Sequence, residues 1–264
     1  MIKQYFEKYQ ATGNDFIIIA KEQAQFDLNN PNIISKLCNR RFGIGADGLI
    51  IYQPHSIYDF EMFYHNADGL PASFCGNGAR AIVEYAYSKN LIGNKGIFKA
   101  IDGNHFFAYA PGKISIQMHV QSQISRLEEN IFEVNTGSPH YIEITTSPLP
   151  RTEEFLKKAR AIRYNSSYRL KGINVNLVSL QATKIEMMTY ERGVENLTLS
   201  CGTGVTAAAL VAQKYYHFTS PIEVHTLGGV LYVQIETLLN EVWLIGPAVK
   251  VFQGEVFINR HSFL

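Results

Sequence analysis

Cys75-Gly76-Asn77-Gly78-Ala79-Arg80 runs into Ala81-Ile82-Val83-Glu84-Tyr85-Ala86, and Cys201-Gly202-Thr203-Gly204 runs into Val205-Thr206-Ala207-Ala208-Ala209-Leu210. Each is a Cys-Gly-x-Gly turn that opens an apolar helix, and the occurrence of two decides the fold. A thiol at the first turn of a helix sits beside unpaired backbone N–H groups and the positive end of the macrodipole, which together favour thiolate. Two such thiols in matching positions suggest a proton donor and a proton acceptor that face each other.

The duplication extends beyond the cysteines, which are 126 positions apart. Phe60-Glu61-Met62-Phe63-Tyr64-His65-Asn66 lies against Ile185-Glu186-Met187-Met188-Thr189-Tyr190-Glu191, with Asn66 and Glu191 125 apart. Thr12-Gly13-Asn14-Asp15 lies against Thr136-Gly137-Ser138-Pro139, with Gly13 and Gly137 124 apart. Downstream, Asp102-Gly103-Asn104 and Leu227-Gly228-Gly229 read as hairpin turns between β-rich runs. Four segments in one order at nearly one spacing predict two homologous halves. The joint is expected near residues 121–130, giving an N-terminal lobe over 1–125 and a C-terminal lobe over 126–252, the first completed by a closing strand over 253–264.

At 264 residues the chain is long enough for two domains of ordinary size. A net charge of +1 with 18% charged residues shows no basic stripe or acidic tail. Nucleic acid and membrane surfaces are therefore excluded as partners and a small molecule is expected. Residues 1–9 carry Lys3, Glu7 and Lys8 without an apolar core, and no apolar run approaches the roughly 18 residues of a spanning helix, so a cytoplasmic protein is expected. Three cysteines far apart do not make a disulfide framework, and Cys38 reads as a small buried hydrophobe.

Strands are predicted at 16–20, 49–52, 60–64, 97–100, 114–120, 141–144, 174–180, 185–190, 222–225, 230–236, 242–245, 249–252 and 256–258 from β-branched and aromatic content. Helices are predicted at 31–38 and 153–161, and after each Cys-Gly-x-Gly turn. The two helices after the cysteines are apolar nearly all round, which implies burial on most faces. The expected fold is α+β, two pseudo-symmetric domains each wrapping a mainly antiparallel sheet around a central apolar helix, with the active site in the cleft between them.

The chain resembles diaminopimelate epimerase, a cofactor-independent family of the proline-racemase-like superfamily. The resemblance lies in Ala11-Thr12-Gly13-Asn14-Asp15-Phe16, Gly43-Ile44-Gly45-Ala46-Asp47-Gly48, Asn66-Ala67-Asp68-Gly69, Cys75-Gly76-Asn77-Gly78-Ala79-Arg80, Thr136-Gly137-Ser138-Pro139-His140, Gly172-Ile173-Asn174-Val175, Tyr190-Glu191-Arg192-Gly193 and Cys201-Gly202-Thr203-Gly204. These stretches run in family order over nearly the whole chain. They imply epimerisation of LL-diaminopimelate to meso-diaminopimelate, in lysine and cell-wall precursor synthesis, without a cofactor. No lysine in a cofactor setting, no Gly-x-Gly-x-x-Gly turn between strand and helix and no clustered metal spacing appears in the sequence.

Inverting a stereocentre next to a carboxylate requires removing a Cα proton from one face and returning one to the other. The resemblance implies that Cys75 and Cys201 do this, one as thiolate and one as thiol, sharing a single proton and titrating as a unit. Gly76-Asn77 and Gly202-Thr203 would offer backbone N–H groups to the carboxylate as charge builds. Asn66, Asn174 and Arg192 match positions that hold the distal head of the substrate, Glu191 matches one that takes ammonium groups, and Asn14 one near the reacting amine. His140 and Glu191 match polar groups adjacent to the thiols. Gly48 stands where a glutamine often occurs and Ser138 where an asparagine often occurs, both at the head-group end. The family often dimerises, which implies a homodimer. Proline or hydroxyproline racemisation is the rival within enzymes, and a non-catalytic amino-acid-binding relative the rival outside them. The bland readings are core packing for the cysteines, surface positions for Glu191 and Arg192, loop capping for Asn14 and Asn174, and a structural histidine at 140.

Overall fold

The computed structural model describes residues 1–120 and 123–258. Gln121 and Ser122 of the expected joint, and residues 259–264 of the expected closing strand, lie outside the described residues. The chain forms two compact units, Met1–Ile116 with the chain from Pro247 onward, and Gln117–Gly246.

The first unit holds strands β1 (Ile2–Ala11) and β2 (Asn14–Ala20), helix α1 (Pro31–Cys38), strands β3 (Gly48–Gln53) and β4 (Phe60–Asn66), helix α2 (Gly76–Ser88), and strands β5 (Lys95–Ala100), β6 (Gly103–Ala110) and β7 (Lys113–Met118), the last ending just past the unit boundary. The second holds β8 (Ile124–Glu128), β9 (Ile131–Asn135), β10 (Pro139–Thr145), helix α3 (Thr152–Arg163), β11 (Asn174–Leu180), β12 (Lys184–Glu191), β13 (Asn196–Thr198), helix α4 (Gly202–Tyr216), β14 (Ile222–Thr226), β15 (Gly229–Glu236) and β16 (Glu241–Gly246). Strand β17 (Val249–Ile258) returns to the first unit and pairs antiparallel with β1.

Both units follow one wiring. In the first, β2 runs parallel to β3 and β4 parallel to β5, while β1–β2, β3–β4 and β5–β6 are antiparallel. In the second, β10 runs parallel to β11 and β12 parallel to β14, while β9–β10, β11–β12 and β14–β15 are antiparallel. A parallel pair needs a crossover, and the helices supply them: α1 and α2 in one unit, α3 and α4 in the other. The mainly antiparallel sheet therefore contains two parallel joints per unit, each bridged by a helix.

Alternation along the strands gives each sheet two buried faces. Ile17, Ile19, Leu49 and Ile51 pack on Ile33, Ile34, Leu37 and Cys38 of α1. Their neighbours Phe16 and Ile50, with Met62, reach the first turn of α2 at Gly78. In the second unit Tyr141, Val175, Leu177, Met188 and Tyr190 pack with Phe155 and Ala159 of α3. The strand face turned to the first turn of α4 carries His140 and Asn176. Helix α2 packs against β1, β2, β3, β4, β6 and β17, and is buried from Gly76 to Val83. Helix α4 packs against β9, β10, β11, β12, β14, β15 and β16, and is buried from Gly202 to Ala209. Each sheet thus wraps its helix, and the helix N-terminus is held at a fixed place by packing on all sides.

The residues 121–130 expected to form the joint contain strand β8, whose Ile124, Ser125 and Arg126 pair with Val134, Glu133 and Phe132. Ladder hydrogen bonds to β9 extend this charged segment, which intrinsic propensity alone leaves open.

Candidate active site

Cys75 is the N-cap of α2, in extended backbone (φ −120°, ψ 108°), and Cys201 is the N-cap of α4 with nearly the same geometry (φ −128°, ψ 108°). A glycine follows each as the first helical residue. Of the three cysteines, Cys38 and Cys201 are buried and Cys75 is half-buried. Burial pushes the Cys38 thiol up to about 12, in keeping with its packing against α1's neighbours.

In the first unit, the Cys75 sulfur accepts from Gly78 N at 3.4 Å and lies 3.8 Å from Asn14 Oδ1. Asn77 Nδ2 donates to the same Asn14 oxygen at 3.3 Å, so Asn14, Cys75 and Asn77 form one cluster. The other end of Asn14 donates to Asp47 Oδ2 at 2.6 Å. Arg40 clamps this corner, with bonds of 2.9 and 2.7 Å to Asp15 and 2.7 Å to Asp47. Burial works against the Asp15 carboxylate, but hydrogen bonds from Arg40 and Lys8 outweigh it and hold the carboxyl well below the usual range.

Arg80, one turn into α2, is fully buried. Its guanidinium donates to Asn77 Oδ1 (2.9 Å), Thr12 Oγ1 (3.1 Å), Gly76 O (3.4 Å) and Pro247 O (3.4 Å), all uncharged. Burial lowers its pKa to about 10, while the Cys75 charge works in the opposite direction. Asn66 ends β4 opposite Gly48, which in turn pairs with Phe16 of β2, so Asn14, Gly48 and Asn66 lie at one end of three adjoining strands. Asn66 itself is exposed and joins the thiol cluster through none of these bonds. A Cβ on Gly48, which stands where a glutamine often occurs, would meet the Tyr64 ring at 2.4 Å and His65 O at 2.5 Å, so these neighbours leave room for glycine alone without a shift.

In the second unit, Cys201 is 7% exposed and its sulfur lies 3.4 Å from Thr203 Oγ1. The same hydroxyl is 3.0 Å from His140 Nε2, and His140 Nδ1 is 3.2 Å from Asn176 Nδ2. Burial, and then the Arg192 charge, lower the His140 pKa to about 3, so the imidazole is neutral at pH 7. Thr136 Oγ1 donates to Thr203 O at 2.8 Å and fixes the turn from the strand side. Asn174 lies across from His140 in the register. It accepts from the backbone N of Arg192 at 2.8 Å and donates to Ser138 Oγ at 2.8 Å and Pro139 O at 3.0 Å. Asn174 therefore anchors the Glu191-Arg192 turn, and Ser138, which stands where an asparagine often occurs, supplies an acceptor to it. The Arg192 side chain runs along Gly172, where a Cβ would lie 2.5 Å from its Cδ, and donates to Lys171 O at 3.2 Å.

The structure thus gathers Asn14, Cys75, Gly76 and Asn77 in one unit and His140, Asn174, Arg192, Cys201, Gly202 and Thr203 in the other, with Glu191 half-buried beside Arg192. Asp47, Arg80, Asn176 and Thr136 also belong to these clusters, and the residue-level reading assigned them no role. Asp47 and Arg80 sit inside the resembling motifs, which was the available signal. Asn176 had none, since an asparagine within an apolar strand reads equally as a turn or edge residue. Among the described residues, no helix is long and apolar enough to cross a membrane.

Comparison with known proteins adds the following. The family model described as diaminopimelate epimerase matches residues 6–106 and 132–251. A diaminopimelate epimerase of Flavobacterium psychrophilum is 40% identical over 255 residues, covering 94% of this chain and 98% of that protein. One of Aquifex aeolicus is 35% identical over 277 residues, covering 95% and 97%. Among solved structures, a PhzF-family phenazine biosynthesis protein of Bacillus anthracis has a TM-score of 0.72 at 14% identity, covering 98% of this chain and 100% of that one. A hydroxyproline epimerase of Agrobacterium vitis has a TM-score of 0.68 at 9% identity, covering 99% and 94%. At these identities the two structures show a common fold.

Proposed function

The chain belongs to the diaminopimelate epimerase family, and from that premise we propose that its two N-cap cysteines invert the α-carbon of LL-diaminopimelate to give the meso isomer. The enzyme is an isomerase acting on an amino acid. The observation that carries the residue assignment is the matched pair of N-caps: two cysteines, each followed by glycine, each heading a helix whose first turns are buried.

The chemistry runs as a relay of one proton. The thiolate member removes the α-proton, and the thiol member returns a proton to the opposite face, so the pair emerges with its charge exchanged. Removing that proton builds negative charge on the α-carboxylate. The N–H groups of Gly76-Asn77 and Gly202-Thr203, at two helix N-termini, are fixed donors for that charge and need no reorganisation when it appears. Fixed N–H donors of this kind take the place of an electron sink. Asn14 receives the reacting ammonium on its carbonyl. Arg192 and Asn66 hold the distal carboxylate and Glu191 the distal ammonium, while Asn174 keeps the Glu191-Arg192 turn in place through its bond to Arg192 N. His140, neutral and hydrogen-bonded to Thr203, acts through that hydroxyl on Cys201.

Cys75→Ser and Cys201→Ser are each expected to lower kcat/KM for inversion by at least about 100-fold, the scale of a lost general acid or base. Circular dichroism of the diaminopimelate product and deuterium uptake at its α-carbon from heavy water measure this together. Near-wild-type inversion by either variant defeats the two-thiol assignment. Faster inversion of proline than of diaminopimelate by the wild type would assign the substrate to the cyclic class instead.

A further inference from the structure

Asn14 stands where the turn between β1 and β2 ends. Thr12 and Gly13 form that two-residue turn with positive φ at both positions, 48° and 84°, the pattern of a type I′ hairpin, and Ala11 pairs with Asn14 across it. The hairpin fixes the backbone of Asn14, but its side-chain amide has two ends of similar shape and opposite hydrogen-bonding sense. Only one of them suits an ammonium. A carbonyl oxygen accepts from it, whereas an amide N–H turned the same way meets it donor to donor.

The neighbours of the amide decide which end faces the helix. Asp47 lies beside Asn14 because β2 and β3 run parallel, with Phe16 opposite Gly48. Asn14 Nδ2 donates to Asp47 Oδ2 at 2.6 Å, and a carboxylate only accepts, so no other orientation of the amide satisfies that contact. On the far side Asn77 Nδ2 donates to Asn14 Oδ1 at 3.3 Å, and Asn77 is itself oriented by Arg80, a guanidinium that only donates and reaches Asn77 Oδ1 at 2.9 Å. An acceptor-only group at one end and a donor-only group at the other agree on one orientation. The shorter, charge-assisted contact is the one to Asp47.

We propose that Asp47 is a positioning residue of the first half-site: it holds the Asn14 carbonyl toward the N-terminal end of α2, where that oxygen receives the reacting ammonium, and so sets the affinity for an α-amino acid. The inference rests on the ammonium-binding role of Asn14 proposed above.

The ion pairs around Asp47 do not need it for the fold. Its side chain is 43% exposed and that of Arg40 58%, so the 2.7 Å pair between them contributes little to stability. Arg40 also makes two bonds to Asp15, and Lys8 pairs with Asp15 at 2.8 Å, so both cations keep an anionic partner when the Asp47 carboxylate is removed. The backbone bond from Asp47 N to Asp15 O at 2.9 Å is independent of the side chain. What the carboxylate alone supplies is an acceptor for Asn14 Nδ2 and, at 3.2 Å, for Asp15 N, while Arg40 holds its other oxygen.

The test is a double-mutant cycle between Asp47 and Asn14 in the full-length enzyme, with kcat and KM for LL-diaminopimelate followed by circular dichroism and Tm measured for every variant. Asp47→Ala is expected to raise KM about tenfold, the scale of one hydrogen bond to a charged group, with kcat changed less than about threefold, because the ammonium is present in ground state and transition state alike. Asp47→Asn retains a carbonyl that accepts from Asn14 Nδ2 and should bring KM back to within about threefold of wild type, which a role of the charge itself would not do. In an Asn14→Ala background, Asp47→Ala should change kcat/KM less than about twofold, since the group it orients is gone. A merely structural Asp47 would give the same loss in both backgrounds. The proposal is overturned by that additivity, by an unchanged KM in Asp47→Ala, by an Asp47→Asn as impaired as Asp47→Ala, or by an Asp47→Ala that does not fold. Asn14→Ala with a wild-type KM removes the ammonium-binding role of Asn14 and this inference with it, whereas an impaired Asn14→Ala with an additive cycle removes this inference alone. The cysteine variants stand outside the cycle, so the two-thiol assignment is tested separately.

Discussion

His140 is buried with both ring nitrogens engaged and its pKa lowered to about 3, against about 6.5 in an unfolded chain. Above pH 6.5 both states hold it neutral. Between about 6.5 and 3 the unfolded chain takes up a proton that the folded one refuses, so stability falls as pH falls through that window, by up to about 1.4 kcal/mol per pH unit. Urea unfolding of the wild type is expected to lose stability from pH 7 to pH 5, and His140→Gln to show a shallower slope over the same range; parallel slopes would show that His140 contributes nothing to it. Asp15 acts in a lower window. Its folded pKa is depressed, so its stabilisation is fully present above the ordinary carboxylate range and is lost as the pH falls from that range down through the depressed value. The residue scale was also where the sequence was least readable. Cys75 and Cys201 announced themselves by their glycines, whereas Arg80 satisfies its charge with Pro247 O, Gly76 O and two side-chain oxygens, a set of acceptors that no local pattern displays.

At the scale of elements, the second glycine of each turn limits how closely helix and sheet can meet. A Cβ at Gly204 would lie 2.7 Å from Asn176 Oδ1 and 3.3 Å from His140 Cε1, groups locked in the chain that ends at Cys201. At Gly78 the nearest atoms are Ile50 Cδ1 at 3.1 Å and Met62 Cε at 3.2 Å, the ends of side chains that can turn aside. Alanine gains about 1 kcal/mol of helix propensity at either position, against overpacking costs of about 1–3 kcal/mol. Gly204→Ala should therefore lower Tm by several degrees and cut kcat, while Gly78→Ala should be nearly neutral in Tm; equal effects in thermal melts would refute the contrast. The same helices were legible in the sequence because an apolar run opened by Cys-Gly-x-Gly has few alternatives. Strand β1 was not, since Lys3, Gln4, Glu7 and Lys8 break its apolar pattern. Glu7 is buried in ion pairs with Lys89 at 2.5 Å and Lys250 at 2.8 Å, and Lys8 with Asp15 at 2.8 Å, partners that only the folded chain brings near.

For the whole molecule, the two units differ in how the chain builds them. The second is continuous from Gln117 to Gly246, whereas the first is finished only when Pro247 onward returns to it. Strand β17 pairs with β1 from Ile2↔Ile258 to Gln10↔Val249, supplies Lys250 to the buried Glu7, and brings Pro247 O to the Arg80 guanidinium. A chain stopped after Gly246 would leave β1 with an unpaired edge, a buried carboxylate short of one cation and a buried guanidinium short of one acceptor. Unsatisfied buried groups of this kind cost about 1–3 kcal/mol each, and more when charged, a large share of the 5–15 kcal/mol that holds a domain together. The pairing also closes a loop of nearly the full chain length, so it forms late if contacts of short sequence separation form first. Hydrogen exchange on the truncated chain should therefore show amide protection retained in β9 to β16 and lost across β1 to β4 and α2. The second unit carries its own core around α3 and α4. Wild-type protection of β1 and α2 after truncation would mean that the first unit is complete without β17, and loss of protection throughout would mean that the two units unfold as one.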